Sequence, residues 1–138
     1  MPAERTNMTN EEIIRNYYSG FETNDWNSVE KLLADGFTFT SPNDDDHIDK
    51  RIFKEKCWPQ ANWIERFELE CVIGEGNNVF VKYLCRTNYG RSFRNAEYFR
   101  CADRKIVAIE CYFGGNHGYP SQYASVSQQA AGRGATGL

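Results

Sequence analysis

The chain has no long apolar run, no excess of one charge and no paired-cysteine motif. Without an apolar stretch of membrane-spanning length, no transmembrane helix is expected, and the N-terminus lacks the apolar core of a signal peptide. The expectation is a soluble, cytoplasmic protein. Sixteen basic and 19 acidic residues are mixed along the sequence for a net charge of −3, which leaves no electrostatic footprint for nucleic acid. The five cysteines, at 57, 71, 85, 101 and 111, are odd in number and form no C-x-x-C pair. They read as small hydrophobes kept reduced, neither a disulfide framework nor a zinc site. No internal repeat is present, and no motif requires a cofactor.

Aromatic residues are abundant instead. At 14% of 138 residues they suffice to line a cavity as well as fill a core, and the length suits one domain. Residues 1–8 read as a loose lead-in, 9–115 as the folded domain, and 116–138 as a mobile low-complexity tail of Gly, Ser, Ala and Gln. Thr9 and Glu12 make a capping-box pattern that opens a helix to about Glu22, with Ile14, Tyr17, Tyr18 and Phe21 on one face and Ile13 beside them. Thr23-Asn24-Asp25 breaks that helix and caps a second, Trp26 to Ala34. Phe37–Ser41 alternates as a short strand ending at Pro42. An acidic loop, Asn43 to Asp46, leads through His47 to a third helix, Lys50 to Trp58, which Pro59 closes.

The rest reads as four antiparallel strands, near 64–74, 79–87, 91–101 and 106–113. Period-two alternation turns Phe67, Leu69, Cys71 and Ile73 inward on the first. Val79, Val81, Tyr83 and Cys85 follow on the second, and Val107, Ile109, Cys111 and Phe113 on the last. On the third, Phe93, Asn95, Glu97, Phe99 and Cys101 share a face. A carboxyl among phenylalanines needs a hydrogen-bond partner or its own proton, and burial should raise its pKa. Glu97 is therefore either a hydrogen-bonding tool in a pocket or a buried acid satisfied by a Tyr or Arg.

This order of helices, short strand, helix and meander resembles the SnoaL-like and ketosteroid-isomerase-like proteins of the nuclear transport factor 2-like superfamily. The resemblance spans about residues 9–115. It is carried by Tyr17-Tyr18, Asp25-Trp26, Leu32-Leu33-Ala34-Asp35, Phe39-Thr40-Ser41-Pro42, Glu97-Tyr98-Phe99-Arg100 and Tyr112-Phe113-Gly114. It implies an α+β fold in which a curved antiparallel sheet wraps three N-terminal helices as a cone with an internal, mostly apolar pocket. It further implies that Tyr17 and Glu97 hold a ligand oxygen, while the base position of ketosteroid isomerase falls on Ser41. A serine hydroxyl without a neighbouring base cannot take a proton from carbon at neutral pH, so ketosteroid isomerase activity itself is not expected.

The expected ligand is a small, largely apolar molecule bearing a carbonyl or hydroxyl. Phe21, Phe39, Ser41, Trp58, Tyr83, Phe99 and Ile109 would bind it. His47, flanked by Asp44, Asp45, Asp46 and Asp49, is the candidate replacement base, ahead of Asp45 or Asp46. Consecutive acids rarely converge on one ion, so the Asp44–His47 run is not read as a metal site. The outward strand face mixes Leu84 and Tyr98 with Glu68, Glu70, Lys82, Arg86, Arg94 and Arg100, which suits a homodimer interface or a solvated face of cross-strand ion pairs. The alternative to an enzyme is a non-catalytic ligand-binding or dimerisation module.

Overall fold

Thr9 sets the first helix, and the geometry is the expected capping box. Its hydroxyl accepts from the Glu12 N–H at 3.1 Å, and the Glu12 carboxylate accepts from the Thr9 N–H at 2.9 Å. The computed structural model describes residues 8–43 and 45–113. The expectations for residues 1–7, Asp44, the Phe113 side chain and residues 114–138 fall outside these. Helix α1 (Asn10–Glu22) buries Ile13, Ile14, Tyr17, Tyr18 and Phe21. Asn24 takes a φ of +56°, and Asp25 caps the short helix α2 (Trp26–Glu30) through the Ser28 N–H. A Cβ at Gly20 would run into Val29, so glycine is what lets α1 and α2 close on each other.

The second helix stops four residues early. Leu33 already belongs to strand β1 (Leu33–Ser41) and pairs with Ile106, while the Ile106 N–H donates to the Leu32 carbonyl at 2.7 Å. The pull of the ladder outweighs the helix propensity of Leu-Leu-Ala. The acidic loop is also partly strand. Asp45–Ile48 forms β2, antiparallel to β1, with Ser41 opposite Asp45 and Phe39 opposite Ile48. Two residues, Asp46 and His47, bulge against one, Thr40, whose hydroxyl accepts from the His47 N–H at 3.0 Å. Asp49 then caps α3 (Lys50–Lys56). Pro59 disfavours helical geometry at the residue before it, and the chain tightens into a 3₁₀ helix (Trp58–Asn62).

Strands β3 (Ile64–Glu75), β4 (Asn78–Thr87), β5 (Ser92–Ala102) and β6 (Lys105–Phe113) form the meander. The sheet order is β2-β1-β6-β5-β4-β3. It is mixed rather than wholly antiparallel, because β1 runs parallel to β6. The expected inner face holds on β4 and β5, but two bulges change it elsewhere. Leu69 pairs with Tyr83 and Cys71 with Lys82, so Glu70 is an extra residue. Beyond it the faces exchange: Val72 opposes Val81, while Cys71 and Ile73 are exposed rather than inward. On β6, Val107 is the extra residue, and Ile106 takes the buried place expected for it.

The helices pack on the concave face over Phe37, Phe99 and Ile109, and Phe53 of α3 meets the Phe37 ring at 5.2 Å. Truncating one such ring to alanine costs about 3–5 kcal/mol. The Glu22 carboxylate, at the end of α1, accepts from the outward-pointing Phe67 N–H of β3 at 2.6 Å. Among the described residues no helix is long and apolar enough to cross a membrane.

Candidate functional site

The cone encloses a cavity of about 710 Å³ between α1, α3 and the concave faces of β1 and β3–β5. Its floor is built on Glu97, which is 6% exposed. The Tyr18 hydroxyl donates to Glu97 Oε1, and the Cys111 thiol supplies a second hydrogen bond to the carboxyl. Burial pushes the Glu97 carboxyl up to about 7, against the downward pull of these two donors. The acid therefore populates both protonation states near neutral pH, as a general acid or base must.

Three phenols crowd this floor. Burial and the neighbouring Glu97 push Tyr17, Tyr18 and Tyr83 well above the ordinary tyrosine range, so all three stay protonated donors. Adjacent residues on a helix point about 100° apart. Here the surrounding sheet buries both Tyr17 and Tyr18. The partner that fixes Glu97 is Tyr18, not Tyr17. The Tyr17 hydroxyl lines the cavity and donates to no acceptor among the described residues. Asn95, two residues before Glu97 on the same face, donates to the Tyr83 oxygen at 3.0 Å.

A second carboxyl lies on the wall. Asp45 is 5% exposed and lines the cavity. Its Oδ2 accepts from the Ser41 hydroxyl at 3.0 Å, and its Oδ1 pairs with Lys56 on α3. The β1–β2 ladder places Asp45 directly across from Ser41, so a carboxylate stands beside the serine, supplied by the neighbouring strand. Cys57 also lines the cavity, within electrostatic reach of both Asp45 and Glu97. Burial is the main cause that pushes its thiol up to about 12, which keeps it neutral.

Of the expected binding residues, Phe21, Phe39, Ser41 and Tyr83 line the cavity. Phe99 and Ile109 are core side chains outside the lining, 0% and 1% exposed, with Phe99 packed edge-on against Tyr17 at 5.4 Å. Trp58 packs on Phe21 and Trp26, and Trp63 reaches the cavity in its place. His47 does not line the cavity. The β2 bulge gives it a φ of +56° and leaves it solvent-exposed, with Nδ1 2.6 Å from Asp46 Oδ1. Sequence reasoning missed Tyr18 as the carboxyl's partner, as well as Lys56, Cys57, Phe67 and the rim residues. Among the described residues no cluster of His, Cys, Asp or Glu is arranged to hold a metal.

The model of the SnoaL-like domain family matches residues 14–109, and the chain belongs to that family. No curated protein matches it. Solved structures share the fold at low identity. An NTF2-like protein of unknown function from Cytophaga hutchinsonii ATCC 33406 is 18% identical with a TM-score of 0.63, over 78% of this chain and 91% of that one. A provisional ketosteroid isomerase from Kribbella flavida DSM 17836 is 11% identical with a TM-score of 0.64, over 81% and 82%. TerC, crystallised with polyporic acid, is 17% identical with a TM-score of 0.65, over 75% and 90%. The fold is thus the NTF2-like α+β cone.

Proposed function

We propose that this chain binds a small, mostly apolar molecule by a carbonyl or hydroxyl oxygen and moves a proton on it, as an isomerase, hydratase or cyclase would. The observation that carries this reading is the cavity floor. A buried carboxyl poised near neutrality, fixed by one phenol, sits beside a second phenol, that of Tyr17, whose hydroxyl donates to no acceptor among the described residues. The ligand oxygen accepts from Tyr17 and protonated Glu97. Asp45, in place of the serine at the family's base position, takes the proton from the adjacent carbon. The C–H electron pair then moves toward the held oxygen, where the two donors stabilise the developing charge.

A test needs only a generic carbon acid. β-Tetralone, an aromatic ketone with exchangeable hydrogens beside its carbonyl, is incubated with the protein in heavy water and followed by proton NMR. The folded chain is expected to speed deuterium uptake over buffer, and Glu97→Gln to slow it by more than about tenfold while binding persists. Binding without any acceleration would sink the catalytic half. A non-catalytic binding module would then stand. One observation favours that second reading: Asp45 is already engaged by Lys56 and Ser41.

The same reading places the protein in the cytoplasm, where its five free thiols stay reduced. It also pairs two copies through the convex sheet face, where Ile73, Phe80 and Tyr98 lie in one cross-strand row, with Tyr112 on the same face. Phe80 and Ile73 are 56% and 58% exposed. Sedimentation equilibrium is expected to show a dimer that Phe80→Glu converts to monomer. A wild-type monomer at micromolar concentration removes this part.

A further inference from the structure

Exposure along the inner face of β5 falls steadily, from the exposed turn at Tyr89 through half-buried Phe93 and Asn95 to buried Glu97. The cavity therefore opens at the β4–β5 turn and closes at Glu97. This rim is tied down. The Asn88 N–H donates to the Trp63 carbonyl at 2.9 Å, and the Asn88 side-chain amide to the Asn62 carbonyl at 3.0 Å. The Thr87 hydroxyl both donates to the Arg91 carbonyl, at 2.9 Å, and accepts from the Arg91 N–H, at 3.0 Å. The Trp63 and Tyr89 rings meet at 6.1 Å beside it.

Among the described residues three cations border the cavity, and they differ in what they meet. Lys56 pairs with Asp45, and Arg94 with Glu70 through two nitrogens. The backbone of Arg91 is clamped by Thr87, but its guanidinium meets no acceptor among the described residues. Among the described residues, the mouth of this aromatic cavity thus presents one cation with no ion-pair partner.

We propose that this mouth is an anion subsite: Arg91, framed by Trp63 and Tyr89, selects elongated aromatic ligands with a carboxylate or similar anionic group at the end opposite the oxygen held at Glu97. The inference rests on the binding reading above and adds to it the ligand's charge and length. A guanidinium grips a carboxylate through two parallel hydrogen bonds, and the adjacent ring faces hold the flat body. Arg91 stands one residue before β5 and six residues from Glu97, roughly 20 Å at about 3.3 Å per residue, so an extended molecule meets both ends and a shorter anion meets Arg91 alone.

The test uses two fluorescent probes with the same ring system, anilinonaphthalene sulfonate and its uncharged parent phenylnaphthylamine. Each is titrated into the full chain, Arg91→Met, and Arg15→Met as a surface-charge control. The wild type is expected to bind the sulfonate about tenfold more tightly than the neutral parent, and Arg91→Met to abolish that preference with neutral-probe affinity unchanged. Arg15→Met keeps the preference. Equal affinities in the wild type, or a preference that survives Arg91→Met, overturn the anion subsite and leave the apolar pocket standing. Failure of both probes to bind overturns the subsite together with the binding reading.

Discussion

Glu97 and Glu70 lie on neighbouring parts of one sheet and titrate in opposite directions. On the concave side, burial lifts the Glu97 carboxyl to about 7 against the opposing pull of a phenol and a thiol. On the convex side, Arg94 first and then Lys82 hold Glu70 below the ordinary glutamate range, and Arg86 with Arg66 does the same for Glu68. The outer carboxylates face water and cations. The inner one faces rings and neutral donors. One residue type thus becomes a fixed charge or a proton carrier according to the side of the sheet it occupies.

The sharpest way to break this contrast is to remove charge from each side in turn. Asp45→Asn should slow β-tetralone exchange roughly a thousandfold and Glu97→Gln roughly a hundredfold. Glu68→Gln, on the convex face, should leave the rate unchanged. A convex-face variant that cost as much as a concave one would show that the two faces do not differ in function.

Stability against pH separates them next. The Glu97 pKa is higher folded than unfolded, so the folded state holds the proton more tightly, and its contribution is complete below the unfolded value near 4.5. That contribution shrinks as pH rises and is gone above about 7, a loss of about 3 kcal/mol. Urea midpoints of the wild type should therefore fall between about pH 5 and pH 8, and those of Glu97→Gln should follow the fall far less. Glu70 has the opposite sign: whatever it contributes is present above the unfolded value and fades in acid.

Smaller again is the effect of Tyr18→Phe. It removes a donor that favours the charged carboxyl, so the Glu97 pKa should rise further, read as a protonated carboxyl stretch persisting to higher pH in infrared spectra. A shift downward would mean that the phenol accepts rather than donates. The smallest effect belongs to Arg94→Gln, whose exposed ion pair should leave the urea midpoint unchanged within error.

Much of the concave face was legible because β4 and β5 alternate without interruption, so parity alone put Glu97 with Phe99 and Tyr83 with Val81. Parity fails at a bulge, which is a property of two strands and not of one. Nothing local in Leu69-Glu70-Cys71 announces that Cys71 and Ile73 turn outward, and Val107 and Ile106 exchange places for the same reason. Asp45 was obscured differently. A run of aspartates has low strand propensity, and only pairing with β1 makes it a strand that faces the cavity. The resemblance pointed to Tyr17 as the phenol beside Glu97, and helical spacing, which buries both tyrosines, does not reveal that Tyr18 is the one bonded to the carboxyl.

The contact between Glu22 and the Phe67 N–H also bears on solubility. Strand β3 is the sheet's long free border, where a foreign strand could otherwise dock and seed association. A carboxylate that already occupies one of its outward donors removes a rung from that ladder and sets a negative charge in the path of any newcomer. The helix that furnishes the floor of the pocket thereby also guards the margin of the sheet.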